Sequence, residues 1–275
     1  MGLDFKGCIT ITHSPYLVSL EHFDEIFVVR KTKEKGTDIR NADVNKFIAD
    51  LKIRKGRDSD SDTLRLHYRN AYEQTSDSLS SLEAFFAKKV ILVEGESEAL
   101  ILPYLFGKRD FDYIREKITI VKCGGKNELD RFYRLYSEFG IPCYVIFDGD
   151  KHHNNREDSI RMNNELFDIL GETKIKDFPD DKAHKNYLGF EYDLNHALKL
   201  AGFEDVYNEG NPEESPKGLK LFFKVKAQVE NSAVEVPEWI EQIQERIKKL
   251  PEESESVLNQ GANGEKLKEY EDLPF

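Results

Sequence analysis

VILVEGESE, residues 90 to 98, decides how this chain is read. Val90 to Val93 is a short run of β-prone apolar residues with the length and composition of a buried strand. It ends on Glu94. Gly95 permits a sharp turn, and a helix is predicted over Glu96 to Phe106. Glu94 and Glu98 are four residues apart, so the strand–helix junction can bring both carboxylates to one side. A second segment repeats the logic. YVIFDGD, residues 144 to 150, is an apolar strand that ends on Asp148 and Asp150. Acids two apart at the end of an extended segment point the same way, and Gly149 between them allows close approach of the backbone.

Outward from these segments the chain alternates strand and helix. Strands are predicted at Val90 to Val93, Ile118 to Val121 and Cys143 to Phe147, with helices at Glu128 to Phe139 and Ile160 to Leu170. Such alternation implies an α/β fold with a mostly parallel sheet flanked by helices. Active groups then gather beyond the carboxyl ends of the strands, where Glu94 and Asp148 both lie. Upstream, Gly7 to His13 and Asp24 to Arg30 read as strands and Lys31 to Asn41 as a polar loop. Val44, Phe47, Ile48 and Leu51 have helical spacing. Lys55 to Asp62, with Arg54 and Arg57, reads as a charged linker, and Ser78 to Lys88 as a helix. Downstream, helices are predicted at Phe190 to Leu200, Lys217 to Val229 and Val236 to Leu250, followed by an acidic tail from Glu252. The division expected is 1–55, a connector over 56–88, the sheet domain at 89–180, and a mainly helical region with the tail at 181–275.

If the two acidic segments meet, four carboxylates converge. Held that close without compensation, they repel and raise one another's pKa. Hard oxygen donors suit Mg²⁺ or Mn²⁺, and two such ions ~3.5–4 Å apart clamp the attacking and leaving oxygens of a phosphodiester. A single acid at a strand end is ordinarily a helix cap or a solvated loop residue. Two pairs in this order, each directly after an apolar strand, point to a metal site formed by Glu94, Glu98, Asp148 and Asp150.

LVEGESE followed about 50 residues later by VIFDGD resembles the Toprim domain of topoisomerases, primases and related nucleases. The resemblance implies that Glu94 serves as acid or base and metal ligand, with Asp148 and Asp150 as further ligands. Glu98 and the turn at Gly124, Gly125 and Lys126 fit the overcoming-lysogenization-defect (OLD) nucleases within that group. ITITHSPYLVS, residues 9 to 19, with the following DEIFVVR, resembles the end of an ABC-type ATPase core, in which the strand-terminal histidine, here His13, meets the γ-phosphate. OLD proteins join that ATPase to a Toprim nuclease in this order, so the chain resembles their carboxyl-terminal part, with a partial ATPase end at its N-terminus. No GxxxxGK[ST] phosphate loop is present, so no ATP binding is expected of this chain alone. An ABC-type ATPase domain or subunit from elsewhere is the implied partner. By the same resemblance Glu191, in FEYDL, is a further metal ligand or a first-turn acid, and Lys217, in SPKGLKLFF, a catalytic lysine or a surface one. Lys151 to Arg156, directly after DGD, is a phosphate-gripping loop or a solvated one.

The expected activity is metal-dependent cutting or nicking of DNA within an ATPase-coupled defence or DNA-processing system, by a homo-oligomer in the cytoplasm. The net charge of −12 argues against a protein held to DNA by bulk positive charge, which leaves local basic patches and bound cations to do so. Cys8, Cys123 and Cys143 are an odd set without CxxC spacing, which disfavours disulfide frameworks and zinc ribbons. No apolar run approaches the ~20 residues of a membrane helix, and no signal peptide is expected. Two other functions compete. VIFDGDK also resembles the start of haloacid-dehalogenase-type phosphatases, which leaves VEGESE without a role. A non-catalytic docking subunit for an ATPase would not need the intact acidic set.

Overall fold

The computed structural model describes residues 9–32, 36–74, 78–172, 177–252 and 257–259. Its centre is a four-stranded, all-parallel sheet of β3 (Lys89–Val93), β4 (Ile118–Lys122), β5 (Cys143–Asp148) and β6 (Tyr187–Phe190), in the order β4-β3-β5-β6. The alternation of side chains along a strand divides the core into two layers. Val90, Leu92, Val121, Val145 and Phe147 face one layer, and Ile91, Val93, Tyr144, Ile146 and Leu188 the other. Both faces are therefore dry, which is why these strands read as continuous apolar runs.

The first layer is covered by α5 (Lys126–Glu138), α6 (Arg156–Ile169) and an N-terminal group. That group comprises α1 (Val44–Lys55), α2 (Ser61–Gln74), α3 (Ser78–Glu83) and an antiparallel hairpin of β1 (Phe27–Thr32) and β2 (Gly36–Asn41). Phe23, Phe47 and Tyr68 pack there with ring centroids 4.7 to 6.0 Å apart. The second layer is covered by α4 (Glu96–Lys108), α7 (Leu194–Leu200), α8 (Gly218–Glu230) and α9 (Glu238–Lys249). No helix among the described residues is long and apolar enough to cross a membrane.

Several expectations are corrected. Ile9 to Thr12 form no strand, and Ile9 and Ile11 are exposed, because no neighbouring strand supplies a hydrogen-bonding ladder among the described residues; Gly7 and Cys8 lie outside them. The supposed loop at 31–41 contains β2, a polar strand whose pairing with β1 compensates for its weak apolar signal. Phe190 ends strand β6 rather than starting a helix; this edge strand lies beyond residue 180. The supposed linker holds the last residue of α1 and the first two of α2, and further along α2 Leu64, Tyr68 and Ala71 are buried at helical spacing. Of the tail, residues 253–256 and 260–275 lie outside the described residues.

Arg54 and Lys55, taken as linker charges, are almost completely buried. Arg54 pairs with Asp50 and Asp168, and Lys55 with Asp130 (2.6 Å) and Glu165 (2.8 Å). Arg134 on α5 pairs with Asp50 and Asp130. These ions tie α1 to α5 and α6 in a place where each unpaired charge would be costly. Asp50→Ala leaves two buried guanidinium groups short of a carboxylate. It is expected to lower unfolding stability by about 3–5 kcal/mol in urea titrations, and a loss below ~1 kcal/mol would contradict the network's role.

Candidate metal centre

The parallel register of β3 and β5 sets Val93 beside Ile146, so the residues that follow each strand emerge side by side. The Asp148 N–H donates to Glu94 Oε1 at 2.9 Å, which joins the two acidic segments across 54 residues of sequence. Glu98 turns back along the first turn of α4 and accepts from the Gly95 N–H at 3.1 Å. Asp148 Oδ1 accepts from the Leu194 N–H at 3.0 Å, at the start of α7. Asp150 adopts φ 58°, and its Oδ2 accepts from Lys126 Nζ at 2.7 Å. That ammonium also donates to Asn163 Oδ1 at 3.0 Å, and Asn163 Nδ2 donates to the Gly149 carbonyl at 3.0 Å. Gly149 is required by contact: a Cβ there would lie 2.5 Å from the Glu191 carbonyl oxygen and 2.7 Å from Pro179.

Glu94, Glu98, Asp148 and Asp150 are thus brought together. Burial is the leading cause that raises the carboxyls of Glu94, to about 8, and of Asp148 and Glu98. The acids add to one another: Asp150 and Glu98 raise Glu94, while the Lys126 ammonium opposes the rise. Asp148 is raised further by Glu98, Glu94, Asp193 and Asp150.

Asp193 is the member that the sequence reading missed. It caps α7 by accepting from the His196 N–H at 2.7 Å, its other oxygen lies 3.6 Å from His152 Nε2, and burial raises its own carboxyl. Its signal, an acid directly before an apolar helix, is that of any N-cap. Glu191, two residues earlier, does not join the cluster; its carboxylate pairs with Lys151 and its backbone N–H binds Asp181. Lys217 is exposed. It sits just before Gly218, whose N–H donates to Ser97 Oγ at 2.9 Å on the first turn of α4. Gly218 has φ 54°, and a Cβ there would press on Glu96. His13 is exposed, well before the sheet in sequence.

A set of hard carboxylate oxygens, of which Glu94, Glu98 and Asp148 are made less acidic by burial, has the chemistry of a site for a small divalent cation. As they stand, no three acidic, histidine or cysteine groups among the described residues converge closely enough to hold an ion. Glu94, Glu98 and Asp148 each commit an oxygen to a backbone amide, and Asp150 commits one to Lys126.

A parallel sheet with glutamates after one strand and a DxD pair after its neighbour defines a Toprim-type catalytic scaffold. Residues 85–150 match the family model described as "Overcoming lysogenization defect protein-like, TOPRIM domain", so this segment is an OLD-like Toprim domain. A protein named OLD nuclease from Thermus scotoductus is 31% identical over 141 residues, a match that spans 50% of this chain and 24% of that protein. The chain therefore spans about a quarter of that relative's length. Among solved structures, the C-terminal region of the Xanthomonas campestris pv. campestris OLD protein aligns over 60% of this chain and 94% of its own, at 20% identity and TM-score 0.39. That of the Burkholderia pseudomallei OLD protein aligns over 65% and 90%, at 19% identity and TM-score 0.34.

The raised Glu94 carboxyl has a thermodynamic signature. The folded chain holds this proton more tightly than the unfolded chain, whose glutamate titrates near 4.5. Its stabilisation is complete below that value and is lost as pH rises toward about 8. In EDTA, Glu94→Gln is expected to be more stable than the parent at pH 8 and to lose most of that advantage at pH 5. Equal advantages at both pH values in urea melts would show that Glu94 is not held protonated.

Proposed function

We propose that this chain is the nuclease portion of an OLD-type protein and hydrolyses DNA phosphodiester bonds with Mg²⁺ or Mn²⁺. The observation that carries the reading is the Asp148 N–H on Glu94 Oε1, which fuses the two acidic segments into one buried cluster at the sheet's carboxyl edge. Burial raises the carboxyls of Glu94, Glu98, Asp148 and Asp193, and bound cations would favour their ionised forms. Two divalent ions would be held by Glu94, Glu98, Asp148 and Asp150, and when bound they supply charge compensation to the phosphate and make water a stronger nucleophile.

The chain's own residues have separable parts. Glu94, whose carboxylate already touches the DGD segment through the Asp148 amide, is the proposed proton acceptor from the attacking water. Asp148 and Asp150 fix the far side of the cluster, and Lys126 and Asn163 hold the DGD turn that carries them. Lys217, exposed just before Gly218, whose N–H meets Ser97 on the first turn of α4, is the proposed partner of the phosphate's developing negative charge. Glu191 is left out of the ligand set in this proposal, because it is engaged by Lys151.

An ABC-type ATPase portion is the proposed partner of the N-terminal group. Val29 pairs in register with Ile39, and both, with Phe27 two residues before Val29, are more than 60% exposed on the hairpin. Such an apolar face suits burial against another surface. The OLD relative from Thermus is more than four times longer than the matched region, which leaves room for that portion. Calorimetry of this chain with ATP is expected to give no micromolar binding.

Plasmid cleavage tests the main reading. Nicking or cutting is expected with Mg²⁺ or Mn²⁺ and none in EDTA. Glu94→Ala and Asp148→Ala are each expected to reduce the rate by about 10²-fold or more. Asp148→Ala with unchanged cleavage would overturn the proposal, and a covalent aspartyl-phosphate trapped on Asp148 would favour a phosphatase instead.

A further inference from the structure

A row of rings leads away from the carboxylate cluster. His152 lies 3.6 Å from Asp193 through Nε2 and stacks parallel to Tyr192, with centroids 6.3 Å apart and planes 2° from parallel. Tyr192 meets His196 at 4.4 Å, and His196 meets Tyr207 at 5.2 Å. All four are partly exposed. Tyr207 then lines an open groove of about 500 Å³ together with Asn208, Pro216, Lys220 and Lys224. Asp205 and Glu209 line it too, but Glu209 is already paired with Lys199, whose ammonium also sits 5.7 Å over the Tyr207 ring.

The cations follow the same course. Lys217, Lys220 and Lys224 recur at helical spacing from the start of α8, and none forms an ion pair among the described residues. Lys151 lies 5.6 Å over Tyr192, near the other end of the row. In a chain of net charge −12, Lys217, Lys220 and Lys224 thus lie beside the aromatic row without an acidic partner among the described residues, while Lys151 at its other end is held by Glu191.

We propose that this path binds a single-stranded segment of nucleic acid and delivers its backbone to the carboxylate cluster, which makes an unpaired strand the preferred substrate. The inference rests on the nuclease reading. Tyr192, His196 and Tyr207 are each partly exposed along the row, so unpaired bases can pack against the aromatic surface they leave open, whereas a duplex keeps its base faces stacked on one another and presents only edges and phosphates. Lys217, Lys220 and Lys224 supply the phosphate contacts that run alongside. The groove floor, with polar Asn208 and a tyrosine ring, suits a base and its sugar better than an apolar peptide.

Fluorescence anisotropy with a labelled oligonucleotide tests this in EDTA, where no cutting obscures binding. The intact chain is expected to bind the single strand about ten-fold or more tightly than the duplex of the same sequence. Lys220→Glu with Lys224→Glu, a surface change, is expected to weaken strand binding about ten-fold or more and to flatten its salt dependence. Tyr207→Ala is expected to lower strand affinity at least about five-fold while leaving the salt slope unchanged, as befits a stacking contact. Tighter binding of the duplex, or strand binding that the double lysine variant does not alter, overturns the proposal. Failure of metal-dependent cleavage with the strand preference intact would count against the metal-centre reading and still support this path.

Discussion

The pairing of β3 with β5 is the constraint from which the rest of the centre follows. Both strands are apolar on both faces, so each needs helices above and below and hydrogen-bonded neighbours on either side. A parallel register then leaves no freedom in where their ends lie. Glu94 must emerge beside Asp148, close enough for its carboxylate to accept the Asp148 amide. A register slip of one residue would turn Val90 and Leu92 into the wrong layer, so the position of the acids is enforced by the packing of the core.

That enforcement has an electrostatic cost. The fold places several carboxylates where burial disfavours their charged forms, and the local devices that hold the four acids are few: three backbone amides and one ammonium. Lys126 is the single cationic side chain hydrogen-bonded to the four acids first singled out, among the described residues, and it reaches only Asp150 directly. Burial raises these carboxyls, and the scarcity of positive charge beside them is the ground for the proposal that cations bind there. By contrast, the buried acids Asp50 and Asp130 are matched by Arg54, Arg134 and Lys55. One set of acids is paired with cations of the chain itself; the other is held mainly by backbone amides.

Much of the sheet domain was legible because its signals are local. Val90 to Val93 and Cys143 to Phe147 are short apolar runs that end on an acid and a glycine, and the structure places a strand and a turn at each. The helices α4, α5 and α6 fell within a few residues of expectation. The misses have a common origin. β2 is polar and exists through its partner β1, and β6 is a four-residue run that merges into a helical pattern. Arg54 and Lys55 looked like solvent-facing charges, since nothing nearby in sequence announces the acids on α5 and α6 that bury them.

The sequence by itself determined the fold class and the four acids that end up together, because strand composition, glycine turns and acid spacing are properties of adjacent residues. Tertiary structure alone decided that β3 lies between β4 and β5, that Lys126 rather than Lys151 serves Asp150, and that Asp193 instead of Glu191 borders the cluster. Those outcomes depend on distances between segments far apart in the chain. Such distances are set by how two layers of side chains fill the space around one sheet, and no short stretch of sequence carries that information.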